Sequence, residues 1–288
     1  MRKGLVFTQA LEIKELTKRY RDFTLDRVSI TLPMGAIMGL IGENGAGKST
    51  MIKLILGMIK RGGGEISVLG RDNREHFNDT KEDIGVVLDE ACFPDCVTAK
   101  SLDVIMRSAF KRWDSSAFWS NIERFDLPRG KKFREFSRGM KMKLSLAAAL
   151  SHGAKLLILD EATSGLDPVA RDELLDILKE FTGGEGRSIL ISSHIVSDLE
   201  KICDYIAFIS RGRLMLCEEK DRILREYAMI NLTPEQFANI DKSILIGHKT
   251  TDMGVRALVE RGRIPAGTDQ SQLSPMGIED IFVFMSRA

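Results

Sequence analysis

The sequence lacks any long apolar run. Of its 288 residues, 43% are hydrophobic, an ordinary share for a globular protein with a sizeable core. No run approaches the roughly 18–20 apolar residues that a bilayer-spanning helix requires, and the longest stretches lie near residues 36–41 and 144–150. The N-terminus also lacks the apolar region of a signal peptide. These absences exclude an integral membrane protein and predict a soluble, cytoplasmic chain that reaches a membrane only through a partner.

Net charge is almost absent as well. The 42 Lys and Arg residues balance 41 Asp and Glu residues, which leaves a formal charge of +1. Proteins that bind nucleic acid or an anionic membrane surface carry an excess of basic residues. The composition therefore predicts no nucleic-acid partner. The length allows either one large domain or two smaller ones.

Cysteine is scarce, with only Cys92, Cys96, Cys203 and Cys217. The first two have a C-x3-C spacing, but no His/Cys pair follows at a spacing that suits zinc. We therefore predict four reduced thiols and no zinc site.

A glycine-rich segment follows the G-x-x-x-x-G-K-[ST] pattern of a phosphate-binding loop. Its glycines permit backbone conformations that side chains would block, and the freed N–H groups can surround an anion. Its lysine adds positive charge near the β- and γ-phosphates, and its serine offers a hydroxyl to Mg²⁺. The candidate nucleotide-binding residues are Gly42, Glu43, Asn44, Gly45, Ala46, Gly47, Lys48, Ser49 and Thr50.

The sequence on both sides of this loop supports the interpretation. Residues 36–41 form an apolar run that is typical of a buried strand, and residues 49–58 are predicted to form a helix. The dipole at a helix N-terminus favours bound phosphate. The alternative is a glycine-rich turn that matches by chance, and the flanking strand and helix argue against it.

Acidic residues end two further predicted strands. Asp160 and Glu161 follow the apolar run 156–159, and Asp89 follows the run 84–88. In a phosphate-loop protein, an Asp at such a strand end holds Mg²⁺, and an adjacent acid can polarise the attacking water. The pair therefore predicts hydrolysis of a nucleoside triphosphate with Mg²⁺ as cofactor. The alternative is an ordinary acidic strand end.

Predicted strands and helices alternate along most of the chain, which indicates an α/β protein. Residues 91–150 differ because helical spacing dominates there, so we predict a helical insertion. Within the tail, residues 243–246 are a strand candidate. We predict tail helices over Met253–Glu260 and Gly277–Phe284.

Taken together, the motifs resemble those of the ATP-binding-cassette (ABC) ATPases in order and spacing. The matching elements are the phosphate loop, Ser137 and Gly139 at a helix start, residues 156–161, residues 164–167 and His194. The resemblance covers about residues 5–217. It implies a P-loop NTPase (RecA-like) ABC core over residues 1–217, which contains a helical subdomain at about 91–150. Residues 218–288 would form a small C-terminal accessory region.

The resemblance also implies a role for each matching residue. By position alone, Tyr20 could equally stack on an adenine ring or pack locally. A lone His at a strand end is more often structural, and the resemblance reverses that interpretation for His194. The implied roles are adenine stacking for Tyr20, phosphate binding for Lys48, Mg²⁺ binding for Ser49 and Asp160, general base for Glu161, γ-phosphate sensing for His194, and a loop between two cassettes for Asp167.

Three positions depart from the family's pattern. The signature segment, usually Leu-Ser-Gly-Gly-Gln, is Phe-Ser-Arg-Gly-Met here, so Arg138 and Met140 are unusual while Ser137 and Gly139 are kept. Asp89 stands where the family has a glutamine. Mg²⁺ accepts a charged oxygen as well as a neutral carbonyl. We therefore expect Asp89 to ligate Mg²⁺ more tightly than glutamine would and to repel metal-free nucleotide.

The resemblance further implies partners. The phosphate loop of one chain and Ser137–Gly139 of a second would enclose each ATP in a head-to-tail dimer, which can be a homodimer or a heterodimer. Residues 90–103 resemble the docking site for an integral membrane permease, although a locally covered apolar patch is an alternative. The chain would then lie at the inner face of the cell membrane. Residues 275–284 resemble the end of ATPases that serve bacterial exporters.

Three rival functions use the same cassette. DNA-repair and chromosome-organising ATPases carry long coiled coils between the nucleotide motifs, and no sustained heptad repeat occurs here. Translation-associated proteins usually carry two cassettes and a basic linker, unlike this nearly neutral chain. A regulatory module that binds ATP without hydrolysis is disfavoured by Glu161 but favoured by Asp89 and Arg138. The leading prediction is the ATP-hydrolysing subunit of an exporter.

Overall fold

A computed structural model describes residues 8–89, 93–184, 186–264 and 272–286. Its strands are β1 (Gln9–Arg19), β2 (Thr24–Pro33), β3 (Ile37–Ile41), β4 (Gly63–Val68), β5 (Arg71–Asp72), β6 (Ile84–Val87), β7 (Leu156–Asp160), β8 (Ser188–Ser193), β9 (Tyr205–Ser210), β10 (Arg213–Glu219), β11 (Tyr227–Leu232), β12 (Leu245–Thr251), β13 (Gly254–Glu260) and β14 (Leu273–Ser274).

The helices lie between and after these strands. They are α1 (Lys48–Ile55), α2 (Phe77–Thr80), α3 (Ala99–Ala109), α4 (Ser115–Arg124), α5 (Arg138–Leu150), α6 (Pro168–Thr182), α7 (Val196–Ile202), α8 (Lys220–Glu226), α9 (Pro234–Asn239) and α10 (Ile278–Met285). Within the described ranges, no helix combines the length and apolarity that crossing a membrane requires.

A six-stranded central sheet positions the candidate site. Its strand order is β10-β9-β3-β8-β7-β6, and all neighbours are parallel except β10 and β9. Strands β3, β7 and β8 are buried along their whole length, as expected for parallel strands that are covered on both faces. Their carboxyl ends lie at one edge of the sheet, where α/β proteins bind ligands. The predicted α/β class is confirmed.

The central sheet separates two apolar cores. Along β3, Met38 and Leu40 enter a core shared with α1 and the antiparallel sheet β2-β1-β4-β5. Ile37 and Ile41 enter the opposite core, which includes side chains of the helical region. Because successive side chains of a strand point to opposite faces, one short strand anchors both layers. The phosphate loop follows directly from this doubly anchored strand.

Helices α3, α4 and α5 confirm the helical character predicted for the insertion, and one buried carboxylate joins the first two. The side chain of Asp103, on α3, accepts hydrogen bonds from Ser115 Oγ at 2.7 Å and from Trp113 Nε1 at 2.8 Å. It also accepts from Trp119 Nε1 at 3.3 Å and from Arg107 at 2.9 Å. Buried polar groups need such partners. Asp103 therefore fixes α3 against the start of α4.

The tail differs from the sequence-based prediction. Residues 254–260 form strand β13, so the helix predicted over Met253–Glu260 is wrong. A hairpin turn at Gly254, which has a φ of +130°, pairs β13 with β12, and β11 lies on its other side. Tertiary pairing therefore overrides the helical preference of the segment. The strand predicted at 243–246 begins only at Leu245, and strand β11 was not predicted.

The helix predicted over Gly277–Phe284 is confirmed as α10, and it packs back onto the central sheet. Ile281 and Phe284 belong to the same apolar core as Leu199 and Phe208 of the ATPase region. The rings of Phe282 and Phe208 lie 5.6 Å apart. The predicted boundary after residue 217 lies inside β10.

His152, at the end of α5, is buried and stacks on Phe110 with ring centroids 4.3 Å apart. Its ring nitrogens face the carbonyl oxygens of Ile84, at 3.0 Å, and Ala148, at 3.3 Å. Burial lowers the pKa of His152, although these carbonyl oxygens oppose the shift. The folded chain therefore holds this ring neutral under conditions in which the unfolded chain protonates it.

We expect acid to destabilise the fold through His152. Below the ordinary pKa of 6.5, the unfolded chain binds a proton that the folded chain excludes. The free energy of unfolding should then fall by up to about 1.4 kcal/mol per pH unit from this group. Denaturant unfolding of the wild type and His152→Phe between pH 7.5 and 5.5 measures the difference. Equal pH slopes for the two proteins would contradict the assignment.

Candidate active site

The phosphate loop leaves β3 and enters α1. Gly47 has a φ of +113°, and a Cβ added there would lie 2.9 Å from the Phe23 ring. A Cβ at Gly42 would lie 2.5 Å from the carbonyl oxygen of Ile209. Both positions therefore require glycine, one because of backbone conformation and both because of close packing. Glu43, Asn44, Gly45 and Ser49 are exposed, whereas Ala46, Gly47 and Lys48 are buried and Thr50 is half-buried.

Lys48 lies under this loop with only 5% of its surface exposed. Its Nζ donates to the Gly42 carbonyl at 2.6 Å and to the Glu43 carbonyl at 3.3 Å. The same atom lies 3.2 Å from Glu161 Oε1. A buried cation needs such partners because desolvation disfavours its charged form. The loop thus presents a fixed positive charge beside the acid at the end of β7.

Glu161 has an unusual backbone conformation. Its φ is +52°, a region that non-glycine residues seldom occupy. The Glu161 N–H donates to both Ser192 O, at 3.1 Å, and Ser192 Oγ, at 3.0 Å. Strand β8 therefore holds Glu161 in a conformation that is strained for its residue type, a feature that clusters at functional sites.

The Glu161 carboxylate lies between two basic side chains. Oε1 faces Lys48, and Oε2 lies 2.6 Å from His194 Nδ1. The backbone N–H of His194 also donates to Oε2, at 3.3 Å. The structure therefore brings together Lys48, at the start of α1, and Glu161 and His194, which follow the adjacent strands β7 and β8. The imidazole is 47% exposed, so it remains accessible to a ligand at this edge.

Asp160 is the last residue of β7, and it is buried. Its Oδ1 accepts a hydrogen bond from Ser192 Oγ at 2.5 Å. With the hydroxyl of Ser49 at the start of α1, this carboxylate offers the hard oxygen ligands that Mg²⁺ prefers. The described residues contain no cluster of three His, Cys, Asp or Glu side chains arranged for a metal. The donor set therefore suits a Mg²⁺ ion that takes its remaining ligands from phosphate and water.

The turn after β1 carries Tyr20, whose side chain is 47% exposed. The N–H of Tyr20 donates to Phe23 O at 2.8 Å, which closes the turn. Phe23 in turn lies against Gly47 of the phosphate loop. Lys18 Nζ lies 5.3 Å from the centre of the Tyr20 ring. The exposed aromatic ring is therefore held beside the phosphate loop, as adenine stacking requires.

Two further predicted residues, Ser137 and Gly139, lie at the start of α5 in the helical region. Ser137 caps α5 by accepting from the N–H of Met140 at 3.3 Å. Gly139 is the second residue of α5, and an added Cβ there would meet only Leu166, at 3.6 Å. Both belong to the helical region, and within the described ranges no hydrogen bond joins either to the phosphate loop.

Asp167 and Asp89 both make contacts that the sequence alone leaves open. Asp167 caps α6 by accepting from the N–H groups of Val169 and Ala170, both at 3.0 Å. The hydrogen bond from the N–H of Ala170 is the main reason that the pKa of Asp167 lies below its ordinary value.

The Asp89 carboxylate accepts a hydrogen bond from Arg138 Nη2 at 2.6 Å. Two of the three unusual positions, Asp89 and Arg138, therefore meet in one ion pair.

Comparisons with known proteins agree with this geometry. A sequence model of the family described as ABC transporter matches residues 25–164. The ABC transporter ATP-binding protein YtrB of Bacillus subtilis (strain 168) is 32% identical over 231 residues, which cover 80% of this chain and 79% of that protein. The lantibiotic transport ATP-binding protein SrtF of Streptococcus pyogenes is 34% identical over 219 residues, which cover 73% of this chain and 91% of that protein. The chain belongs to the ABC transporter ATP-binding proteins.

A solved ATP-binding subunit of an ABC transporter is similar to this ABC ATPase in structure. The TM-score is 0.69 and the sequence identity is 28%, and the match covers 75% of this chain and 92% of that one. This similarity confirms the predicted P-loop NTPase fold. As a member of the family, the protein is an ATPase that binds ATP and serves as the ATP-binding subunit of a transporter.

Sequence reasoning missed three side chains that support the site of this ABC ATPase. Ser192 holds both Asp160 and Glu161, Phe23 packs on the phosphate loop, and Arg138 pairs with Asp89. The place of Ser192 at the end of a buried strand was a usable signal, because such ends adjoin in parallel sheets. The contact between Arg138 and Asp89 had no signal, since the two residues are distant in sequence.

We expect Gly47→Ala to weaken ATP binding by at least about tenfold. Alanine at a φ of +113° carries strain of about 1–3 kcal/mol, and its Cβ would push against Phe23. Titration with a fluorescent ATP analogue measures the effect. Gly130→Ala is the matched control, because an added Cβ there meets nothing within 4 Å. Unchanged affinity in Gly47→Ala would contradict the role of this backbone position.

Proposed function

We propose that this ABC ATPase energises a separate integral membrane permease of an exporter by closing and reopening a dimer. The observation that carries the catalytic part is the carboxylate of Glu161, which lies between Lys48 and His194. Glu161 accepts the proton of the attacking water as general base. Lys48 and His194 stabilise the charge that develops on the γ-phosphate. Tyr20 stacks on the adenine, and residues 42–50 bind the phosphates.

The proposal assigns Mg²⁺ to three oxygen donors. Ser49, Asp160 and Asp89 would hold the ion, which, when bound, neutralises charge on the β- and γ-phosphates. Asp160 is kept in place by Ser192, whose hydroxyl donates to it. For Asp89, we expect the dependence of ATPase rate on Mg²⁺ concentration to shift in Asp89→Gln. If the dependence of ATPase rate on Mg²⁺ concentration is unchanged, Asp89 is not a ligand of the ion.

The proposal also assigns the second half-site to a partner copy. Ser137, Gly139 and Asp167 lie at or before the starts of two helices, α5 and α6, and the side chain of Val169 is 77% exposed beside them. In a head-to-tail dimer, this surface of one chain faces the phosphate loop of the other. The dimer interface then encloses two ATP molecules, each between the phosphate loop of one chain and the second half-site of the other. Binding of ATP closes the dimer and hydrolysis reopens it. The second chain can be identical or related.

A surface on the helical region supports docking of a membrane subunit. On α3, Val104 is 62% exposed and Ile105 is 49% exposed. Pro94 is exposed nearby in sequence, whereas Phe93 is half-buried and packs edge-on against Phe133 with a centroid distance of 5.6 Å. Val104 and Ile105 directly follow the predicted docking segment, residues 90–103. Residues 90–92 of that segment lie outside the described residues. Contact with a permease would place the chain at the inner face of the membrane.

Co-purification tests the transport assignment. We expect a tagged chain, expressed with the membrane protein encoded beside it, to recover that protein from detergent extract. Charged substitutions at Val104 and Ile105 should reduce the recovery, whereas Met253→Lys, at a distant and fully exposed position, should not. Recovery of RNA or ribosomes instead would favour the non-transport alternative.

A further inference from the structure

The ion pair between Asp89 and Arg138 joins two parts of the chain that the sequence separates. Asp89 follows β6 at the ligand edge of the central sheet, and Arg138 is the first residue of α5. Arg138 Nη2 lies 2.6 Å from Asp89 Oδ1. The side chains are 52% and 46% exposed. An exposed pair of this kind contributes little to stability, so its placement suggests a purpose other than holding the fold.

Arg138 also contacts the loop before α6. Gly165 has a φ of +68°, and a Cβ added there would lie 2.9 Å from Arg138 Nη1 and 3.0 Å from Cζ. The guanidinium therefore packs against Gly165, where the absence of a Cβ leaves room for it. One side chain touches the end of β6, the start of α5 and the loop that leads to Asp167. Its position is restrained on two sides.

We propose that Arg138 positions Asp89, and that Asp89 alternates between Arg138 and the Mg²⁺ ion of the loaded site. This inference rests on the proposed role of Asp89 as a metal ligand. A carboxylate that binds a guanidinium at 2.6 Å has one oxygen engaged and its charge compensated, so Arg138 competes with a metal ion for Asp89. Arg138 thus raises the Mg²⁺ concentration that the site needs. Release of Asp89 also frees the guanidinium at the surface that carries Ser137.

The charges of the pair favour this competition over a purely structural role. Arginine stays cationic at all physiological pH values, so the pair cannot be broken by titration of the guanidinium under such conditions. A divalent cation is the natural competitor for the carboxylate. Compensation by Arg138 also reduces the repulsion between Asp89 and a metal-free nucleotide. The Mg²⁺ concentration that the site needs and its affinity for metal-free nucleotide therefore both depend on the contact between Arg138 and Asp89.

Mn²⁺ binding tests the inference without relying on turnover. Electron paramagnetic resonance of Mn²⁺, titrated into the full-length chain with a saturating non-hydrolysable ATP analogue, gives the half-saturating metal concentration. We expect Arg138→Gln to lower this concentration by about two- to fivefold, the range that loss of an exposed ion pair allows. Arg138→Lys should keep it close to the wild-type value. Arg134→Gln, which removes a charge from a nearby exposed position, should have no effect.

The double variant decides whether Arg138 acts through Asp89. Asp89→Asn alone should raise the half-saturating Mn²⁺ concentration, and adding Arg138→Gln should then change nothing further. Two results would overturn this inference but leave the metal role of Asp89 intact. In the first, Arg138→Gln still changes the half-saturating Mn²⁺ concentration when Asp89 is replaced by Asn. In the second, Asp89→Asn changes that concentration but Arg138→Gln does not. No effect of Asp89→Asn would overturn it together with the proposed metal role of Asp89. Absence of nucleotide-dependent Mn²⁺ binding in the wild type would instead refute the proposed site. Thermal unfolding of each variant confirms that it folds.

Discussion

Glu161→Gln is expected to reduce ATP hydrolysis by at least about a hundredfold, the lower end of what general-base catalysis contributes, while ATP binding persists. Glutamine keeps the size of the side chain and can still contact Lys48 and His194, but it cannot accept a proton from water. ATP should therefore remain bound and hold two chains together. Steady-state phosphate release measures the first effect, and size-exclusion chromatography with ATP measures the second.

A control substitution on α4 separates the loss of the general base from the mere loss of one negative charge. Glu123→Gln removes a carboxylate from an exposed position on α4 and should leave the rate unchanged. A Glu161→Gln protein with full activity would refute the assignment of the base. If Glu161→Gln loses activity but stays monomeric with ATP, the assignment of Glu161 as general base stands and the proposed closure of a dimer is contradicted.

Lys48→Ala is expected to weaken ATP binding by about ten- to a hundredfold or more. A hydrogen bond from a charged group contributes about 1.5–3 kcal/mol, and Lys48 is a buried cation beside the loop that would surround the phosphates. Removing it also leaves the half-enclosed carboxylate of Glu161 without its cation, which would repel an anionic ligand. Equilibrium binding of a fluorescent ATP analogue measures the change.

Two further substitutions sharpen the Lys48 prediction. Lys48→Arg keeps the charge but not the fit to the carbonyls of Gly42 and Glu43, so we expect partial recovery of affinity. Lys60→Ala removes an exposed lysine and should not alter binding. If Lys48→Ala bound ATP as tightly as Lys60→Ala, the phosphate-loop assignment would fail.

The catalytic edge of the sheet was predictable because its signals are local. Runs such as residues 156–159 are apolar throughout. This pattern is typical of parallel strands, because both of their faces are buried. The residue that ends each run then lies at the ligand edge, which brought Glu161 and His194 together as expected. The start of α6 was equally clear, because Asp167 and Pro168 form a typical helix beginning.

The remaining features depend on contacts between distant segments. Residues 254–260 have enough helix-forming character to be mistaken for a helix, and only pairing with β11 and β12 makes them a strand. The role of Ser192 required knowledge of which strand lies beside β7. The meeting of Asp89 with Arg138 depends on how the helical region is placed against the sheet. No pattern within either segment encodes that placement.

The packing of α10 on the ATPase region has a consequence for cooperativity. Ile281 and Phe284 share a core with Leu199, and Phe282 contacts Phe208 of β9, the strand beside β3. Segments that share one apolar core unfold together rather than in sequence. A calorimetric scan should therefore show a single transition for both regions. Any loosening of the last helix would lower the energetic cost of local opening beneath the phosphate loop itself.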